Sequence, residues 1–123
     1  MEASSLGEMR RILAELRAKK GVALAAVISH SGVPVAWEAP EGIHIENFAT
    51  LCATLTGSTE LLFQGVGKRP SGRVVVESNA GVVVAVSLGP KAFLAAFLST
   101  RSDEFLAAVD AAAASLRRVL RTG

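Results

Sequence analysis

Two histidines, one cysteine and a glycine-lysine loop are the residues of this sequence whose types could carry chemistry. His30 stands between Ser29 and Ser31, so hydroxyls and an imidazole base share one short segment. The nearest acids in sequence are Glu38 and Glu41, no aspartate precedes Asp103, and no Gly-x-Ser-x-Gly elbow strains a serine into attack geometry. His30 therefore reads as a turn residue. His44 precedes Glu46 at a helix start, where a carboxylate is favoured by the helix dipole. Cys52 falls on an apolar helical stripe and reads as a small core hydrophobe. Alone, it can form no internal disulfide, and positions 30, 44 and 52 lack the short paired spacings of zinc sites. No metal and no cofactor is expected. In QGVGKRPSG, Gly65, Gly67 and Lys68 resemble a phosphate loop only superficially. Arg69 stands where Ser or Thr would be needed, and the loop leads into a strand rather than a helix.

The chain has 123 residues, 50% of them hydrophobic and 20% charged, with 4 Pro and 11 Gly. Such a length and composition fit one globular domain over residues 1–123, its core spanning about 6–120, and exclude disordered or collagen-like chains. Alanine is the most frequent residue, aromatics make up 5% and Tyr is absent, so small side chains must let elements approach closely. No apolar run nears the roughly 20 residues of a spanning helix, and MEASSLGEMRR lacks the apolar core of a signal peptide. A soluble, cytoplasmic protein without membrane insertion is expected. Net charge is +2 and the pI about 9.1, but the charges are segregated. Arg10, Arg11, Arg17, Lys19 and Lys20 lie in the first helix and Arg117, Arg118 and Arg121 close the chain, whereas Glu38, Glu41, Glu46 and Glu60 occupy an interval without Lys or Arg. Without stacking aromatics interleaved among bases, nucleic acid is not the expected partner.

Periodicity gives the elements that must position these residues. Leu6, Met9, Ile12, Leu13 and Leu16 predict a helix from about Leu6 to Lys20, opened by a Ser5/Glu8 capping box and stopped by Gly21. VALAAVIS at 22–29 reads as a strand buried on both faces, and His30–Gly32 as a tight turn into a return strand, Val33–Trp37. Pro34 places that strand near an edge. A helix from His44 to Gln64 carries the core stripe Ile45, Phe48, Leu51, Cys52, Leu55, Leu62 and Phe63. After the 65–72 loop, RVVVES (73–78), VVVAVS (82–87) and AFLAAFLS (92–99) form an antiparallel meander. Its continuous apolar character requires cover on both faces. Asp103–Arg121 is a last amphipathic helix, acidic at its start and basic at its end. The order is α-β-β-α-β-β-β-α, an α+β sandwich.

Beside the stripe of the central helix, Ala49, Ala53 and Gly57 recur every fourth residue. A ridge of small residues admits a second helix at short range, and a solvated helix face is the alternative reading. As a helix-contact ridge it predicts that Ala53→Leu or Gly57→Leu weakens association more than folding.

The chain resembles the Roadblock/LC7 family, that of dynein light chain Roadblock and the bacterial MglB-type regulators. The likeness runs from Leu6 to about Leu120 and rests on the Lys-Lys-Gly end of the first helix, GVALAAVISHSGVPVAW, ENFATLCATLTGSTELLF, RVVVESNAGVVVAVS and LGPKAFLAAFLS. Family members often carry Asp in the first hairpin, where this chain has Ser29 and Ser31 around His30. The resemblance implies a five-stranded antiparallel sheet with the central helix on one face and the terminal helices on the other. It implies a homodimer joined through the central helices and a sheet edge, which places Ala49, Ala53, Gly57, Glu60, Arg73, Val75 and Glu77 at the interface. It also implies a non-enzymatic regulator or scaffold of a Ras-like small GTPase, acting in some members as a GTPase-activating partner. Arg69, Arg73 and Arg101 are candidates for an arginine finger. A small-ligand-sensing α/β domain and a purely structural subunit are the alternatives; a hydrolase comes last.

Overall fold

The computed structural model describes residues 3–70 and 72–122. Its elements are α1 (Ala3–Arg17), β1 (Val22–Ser29), β2 (Pro34–Glu38), α2 (Ile45–Gly65), β3 (Arg73–Ser78), β4 (Gly81–Ser87), β5 (Ala92–Leu98) and α3 (Asp103–Thr122). Every predicted element is present, in the predicted order. One antiparallel sheet carries the strands in the order β2-β1-β5-β4-β3. The Pro34 strand is thus an edge, and β3 is the other.

Strand β1 reads as continuously apolar because both of its faces are covered. Val22, Ala25 and Val27 join Val84, Leu94 and Leu98 in a core closed by Met9, Leu13 and Leu16 of α1 and Leu106, Val109 and Leu116 of α3. On the opposite face Leu24, Ala26, Ile28, Phe93 and Ala95 meet Ile45, Ala49 and Cys52 of α2. Val22 and Ala25 share a face because the β1–β5 register shifts between Val22 and Leu24, which leaves Ala23 exposed. Among the described residues no helix is long and apolar enough to cross a membrane.

The first helix departs from expectation at both ends. It starts at Ala3, so Ser5 lies inside it and is buried. The capping box does not form: Glu8 instead accepts from Arg11 Nη2 at 2.9 Å. A serine already within the helical turn has no role as N-cap. At the other end α1 stops at Arg17, and Lys19 N–H turns back to the Leu16 carbonyl at 3.2 Å. Gly21, at φ +108°, then reverses the chain with the Phe105 ring packed where a Cβ would stand. Of the predicted 65–72 loop, Ser71 lies outside the described residues.

Gly81 opens β4 at φ +149°, and a Cβ there would sit 2.6 Å from the Leu98 carbonyl oxygen and 2.8 Å from the Phe97 ring. Backbone cannot yield as a flexible side chain can. Gly81→Ala should therefore lower stability by about 1–3 kcal/mol, read as an earlier urea midpoint; an unchanged midpoint would contradict this packing.

Candidate partner interface

The orientation of α2 decides which residues this protein offers to a partner. Ile45, Ala49 and Cys52 are its buried residues. Ala49 is fully enclosed against the sheet, and Ala53 packs against the same core. A Cβ on Gly32, in the β1–β2 turn, would lie 3.3 Å from Thr50 Cα and 3.5 Å from Ala53 Cβ. Ala49 and Ala53 thus admit the protomer's own sheet and hairpin turn. Of the expected ridge, Ala49 is covered within the protomer, while Ala53 keeps part of its surface open. Gly57 has nothing within 4 Å of a Cβ position.

What α2 turns outward is larger. Leu51 is 68% exposed and Leu61 and Leu62 are both 69% exposed. Leu51, Leu55 and Leu62 follow the helical repeat, and Val66 just past the helix end is equally uncovered. Leu51 and Leu62, expected in the core, belong instead to the surface. Thr54, Thr56 and Thr59 donate their hydroxyls to the Thr50, Ala53 and Leu55 carbonyls at 3.0, 3.0 and 2.8 Å, so these polar side chains satisfy themselves within the helix.

Strand β3 forms one edge of the sheet. Alternation puts Arg73, Val75 and Glu77 on the side of α1 and α3, and Val74 and Val76 on the side of α2. Val75 packs on the α1/α3 core. Arg73 Nη1 meets Asp110 Oδ2 at 2.8 Å, and Arg101 Nη1 meets Glu77 Oε1 at 3.1 Å. The side chains of these three expected interface residues are therefore engaged within the protomer. Val76, 43% exposed, lies directly opposite Val83, which in turn pairs with Phe97. Val76 is thus an exposed apolar side chain on an unpaired strand edge, on the same side of the sheet as α2. The alternation of RVVVES could have identified Val74 and Val76, had the covered side of β3 been known.

The remaining candidates are tied into turns. His30 Nε2 lies 3.1 Å from the Gly89 carbonyl, and its ring tilts against Phe93 with centroids 5.8 Å apart. Ser29 Oγ lies 2.9 Å from Ser31 Oγ and accepts from the Val33 amide at 3.0 Å. These contacts close the hairpin onto the β4–β5 turn. Glu60, with His30, Thr56 and Thr59, lines a cavity of about 220 Å³ beneath the second half of α2. His44 is the exposed N-cap of α2 and makes no side-chain capping bond. Among the described residues no three His, Cys, Asp or Glu side chains are placed to hold a metal. Burial pushes the Cys52 thiol from 9.0 up to about 11.

Two outcomes follow from this placement. Ala49→Leu should overpack the α2–sheet contact and lower folding stability by about 1–3 kcal/mol, whereas Gly57→Ala should raise it by up to about 1 kcal/mol; thermal unfolding of both variants reads the difference. The folded state holds the Cys52 proton more tightly than the unfolded chain does. Its contribution to stability is then complete below about pH 9 and is lost as pH rises through about 11. At mildly alkaline pH a disulfide reagent should label the thiol slowly in native protein and rapidly in urea.

Comparison with known proteins agrees with this architecture. Residues 9–98 match the sequence profile of the Roadblock/LC7 domain. The fold is similar to that of the gliding protein MglB from Thermus thermophilus, with TM-score 0.90, 18% identity, and 100% of this chain and 96% of that one covered. An MglB described as having a tetrameric arrangement gives 0.89 at 19% identity, covering 99% and 94%. MglC from Myxococcus xanthus gives 0.61 at 16% identity, covering 90% and 98%. No curated protein sequence is significantly similar to the chain. With the profile spanning most of its length, the chain belongs to the Roadblock/LC7 domain family.

Proposed function

We propose that this chain is a cytoplasmic homodimeric regulator or scaffold that binds a Ras-like small GTPase and has no active site of its own. The observation that carries the reading is the set of exposed leucines on α2, together with an open β3 edge, in a family of GTPase regulators. Large apolar side chains left in water at such density mark a surface that is covered in the working assembly. A second copy would pair its β3 edge and lay its α2 against Leu51 and Leu62, through the large residues rather than the alanines. The tetrameric arrangement of a similar MglB accords with self-association in this fold.

The dimer would then present to its GTPase a surface to which both copies contribute. Among the three candidate arginines, Arg73 and Arg101 are held in ion pairs. Arg69 is exposed in the loop after α2 and pairs with neither of the two acids that hold the others, which makes it our candidate for a partner's phosphates. A regulator that repositions the GTPase's own residues needs no finger.

Sedimentation and nucleotide-state binding test this directly. Leu51→Glu with Leu62→Glu should shift the dimer to monomer while leaving the thermal unfolding of the protomer cooperative. Titrated with Ras-like GTPases of the same genome loaded with GDP or a GTP analogue, the wild type should bind preferentially in one state. Loss of binding or of stimulated hydrolysis on Arg69→Ala would assign a finger. A stable complex with no change in hydrolysis would make the chain a scaffold. No binding to any such GTPase in either state would overturn the proposal.

A further inference from the structure

The face of the sheet turned away from α2 carries a second surface, of different chemistry. Between the second half of α3 and the β4–β5 turn runs a groove of about 1160 Å³. Its floor is apolar: Val86, Leu88 and Ala92 are buried, and Leu120 is half-buried along one wall. Its rim is cationic. Lys91 stands on the turn, and Arg117 and Arg121 project from α3 one helical turn apart. Arg73 is also at the rim, where Asp110, the one acid among the described residues lining the groove, accepts from its guanidinium at 2.8 Å.

The cations are held for use rather than spent on each other. Arg117 is anchored by Nε and Nη2, which donate to the Ser87 carbonyl at 3.1 and 2.8 Å. A neutral carbonyl does not offset its charge, and Arg117 makes no ion pair with the described residues. Lys91 and Arg121 are exposed and make no ion pair with the described residues. With Asp110 matched by Arg73, three positive charges surround an apolar trough.

We infer that this groove docks an acidic peptide segment of a protein partner, its carboxylates on Lys91, Arg117 and Arg121 and its apolar side chains on the Val86–Leu88–Ala92 floor. Charge complementarity selects an anion, and the floor selects one that also carries apolar groups. A phosphate ion would leave the trough unfilled. A flat anionic bilayer would meet the rim but not the concave floor. Spaced carboxylates can reach the three bases while avoiding Asp110, which a compact multivalent anion cannot do. Because the groove lies across the sheet from Leu51 and Val76, occupancy would leave the α2 surface open, and the inference does not depend on the GTPase reading.

The test is fluorescence anisotropy with a labelled peptide of alternating Glu and Leu, beside Glu/Ser and Lys/Leu counterparts, with inorganic phosphate as competitor and phosphatidylserine vesicles in a separate arm. The Glu/Leu peptide should bind, and amide shifts on binding should fall within 86–92 and 110–121. Lys91→Glu with Arg121→Glu should weaken it about tenfold or more. Both residues are exposed, so the variant should keep the native circular dichroism spectrum. Leu51→Glu should bind as wild type does. Equal binding of the Glu/Ser peptide, wild-type affinity in the charge-reversed variant, full displacement by phosphate, binding to vesicles but not to peptide, or no binding of the Glu/Leu peptide would each overturn the inference.

Discussion

The pairing of β1 with β5 is the contact on which the rest of the molecule depends. It joins the first hairpin to the later meander, and without it neither face of the sheet would be wide enough to seat a helix. At its centre Ala25 lies opposite Ala96 and Ala26 opposite Ala95, all four fully buried. Methyl groups at the middle of the sheet let helical layers approach from both sides while larger residues fill the flanks. The abundance of alanine in the chain is used here first, in the sheet, and only then in the helices.

From that centre follows the division of labour between the two helical layers. The side of α1 and α3 receives most of the large residues and supplies the main core. The side of α2 sets Ala26, Ala85 and Ala95 among the larger Leu24, Ile28 and Phe93. Where the floor is alanine the helix comes close, and the residues packed there are small. Ala49 and Cys52 fit beneath it, and the leucines that would not fit are turned outward. The exposed apolar surface of α2 is therefore a geometric consequence of how the protomer packs.

Charge and apolar area are separated by the same layers. Bases of α3 and the β4–β5 turn gather on the side opposite the leucines, while the α2 interval carries Glu46 and Glu60 and no Lys or Arg. The two sides of the sheet then present unlike chemistry, one apolar and one cationic. The turn that carries Lys91 is braced from three directions, by His30 on Gly89, by Ser87 on Gly89 and by Arg117 on Ser87. Such bracing fixes the rim of the groove.

Along the chain, periodicity and punctuation determined the elements. Apolar runs of period two or continuous character gave β1 and the meander, Gly21 and Gly81 fixed the breaks where positive φ is required, and Pro34 placed its strand at an edge because it has no amide to donate. The family was legible for the same reason, since its pattern is one of apolar positions and turns. Tertiary structure alone decided which side of α2 faces inward. Seven apolar residues make a stripe too broad for one contact, and the choice between Leu51 and Ala49 depends on the depth of a floor built by Ala26 and Ala95, far away in sequence. Likewise Ser5 looked like a cap until burial extended the helix past it, and Arg73 and Glu77 looked like a free edge until Asp110 and Arg101 met them. Sequence spacing states which residues share a face; only the volume left between packed layers states which face is covered.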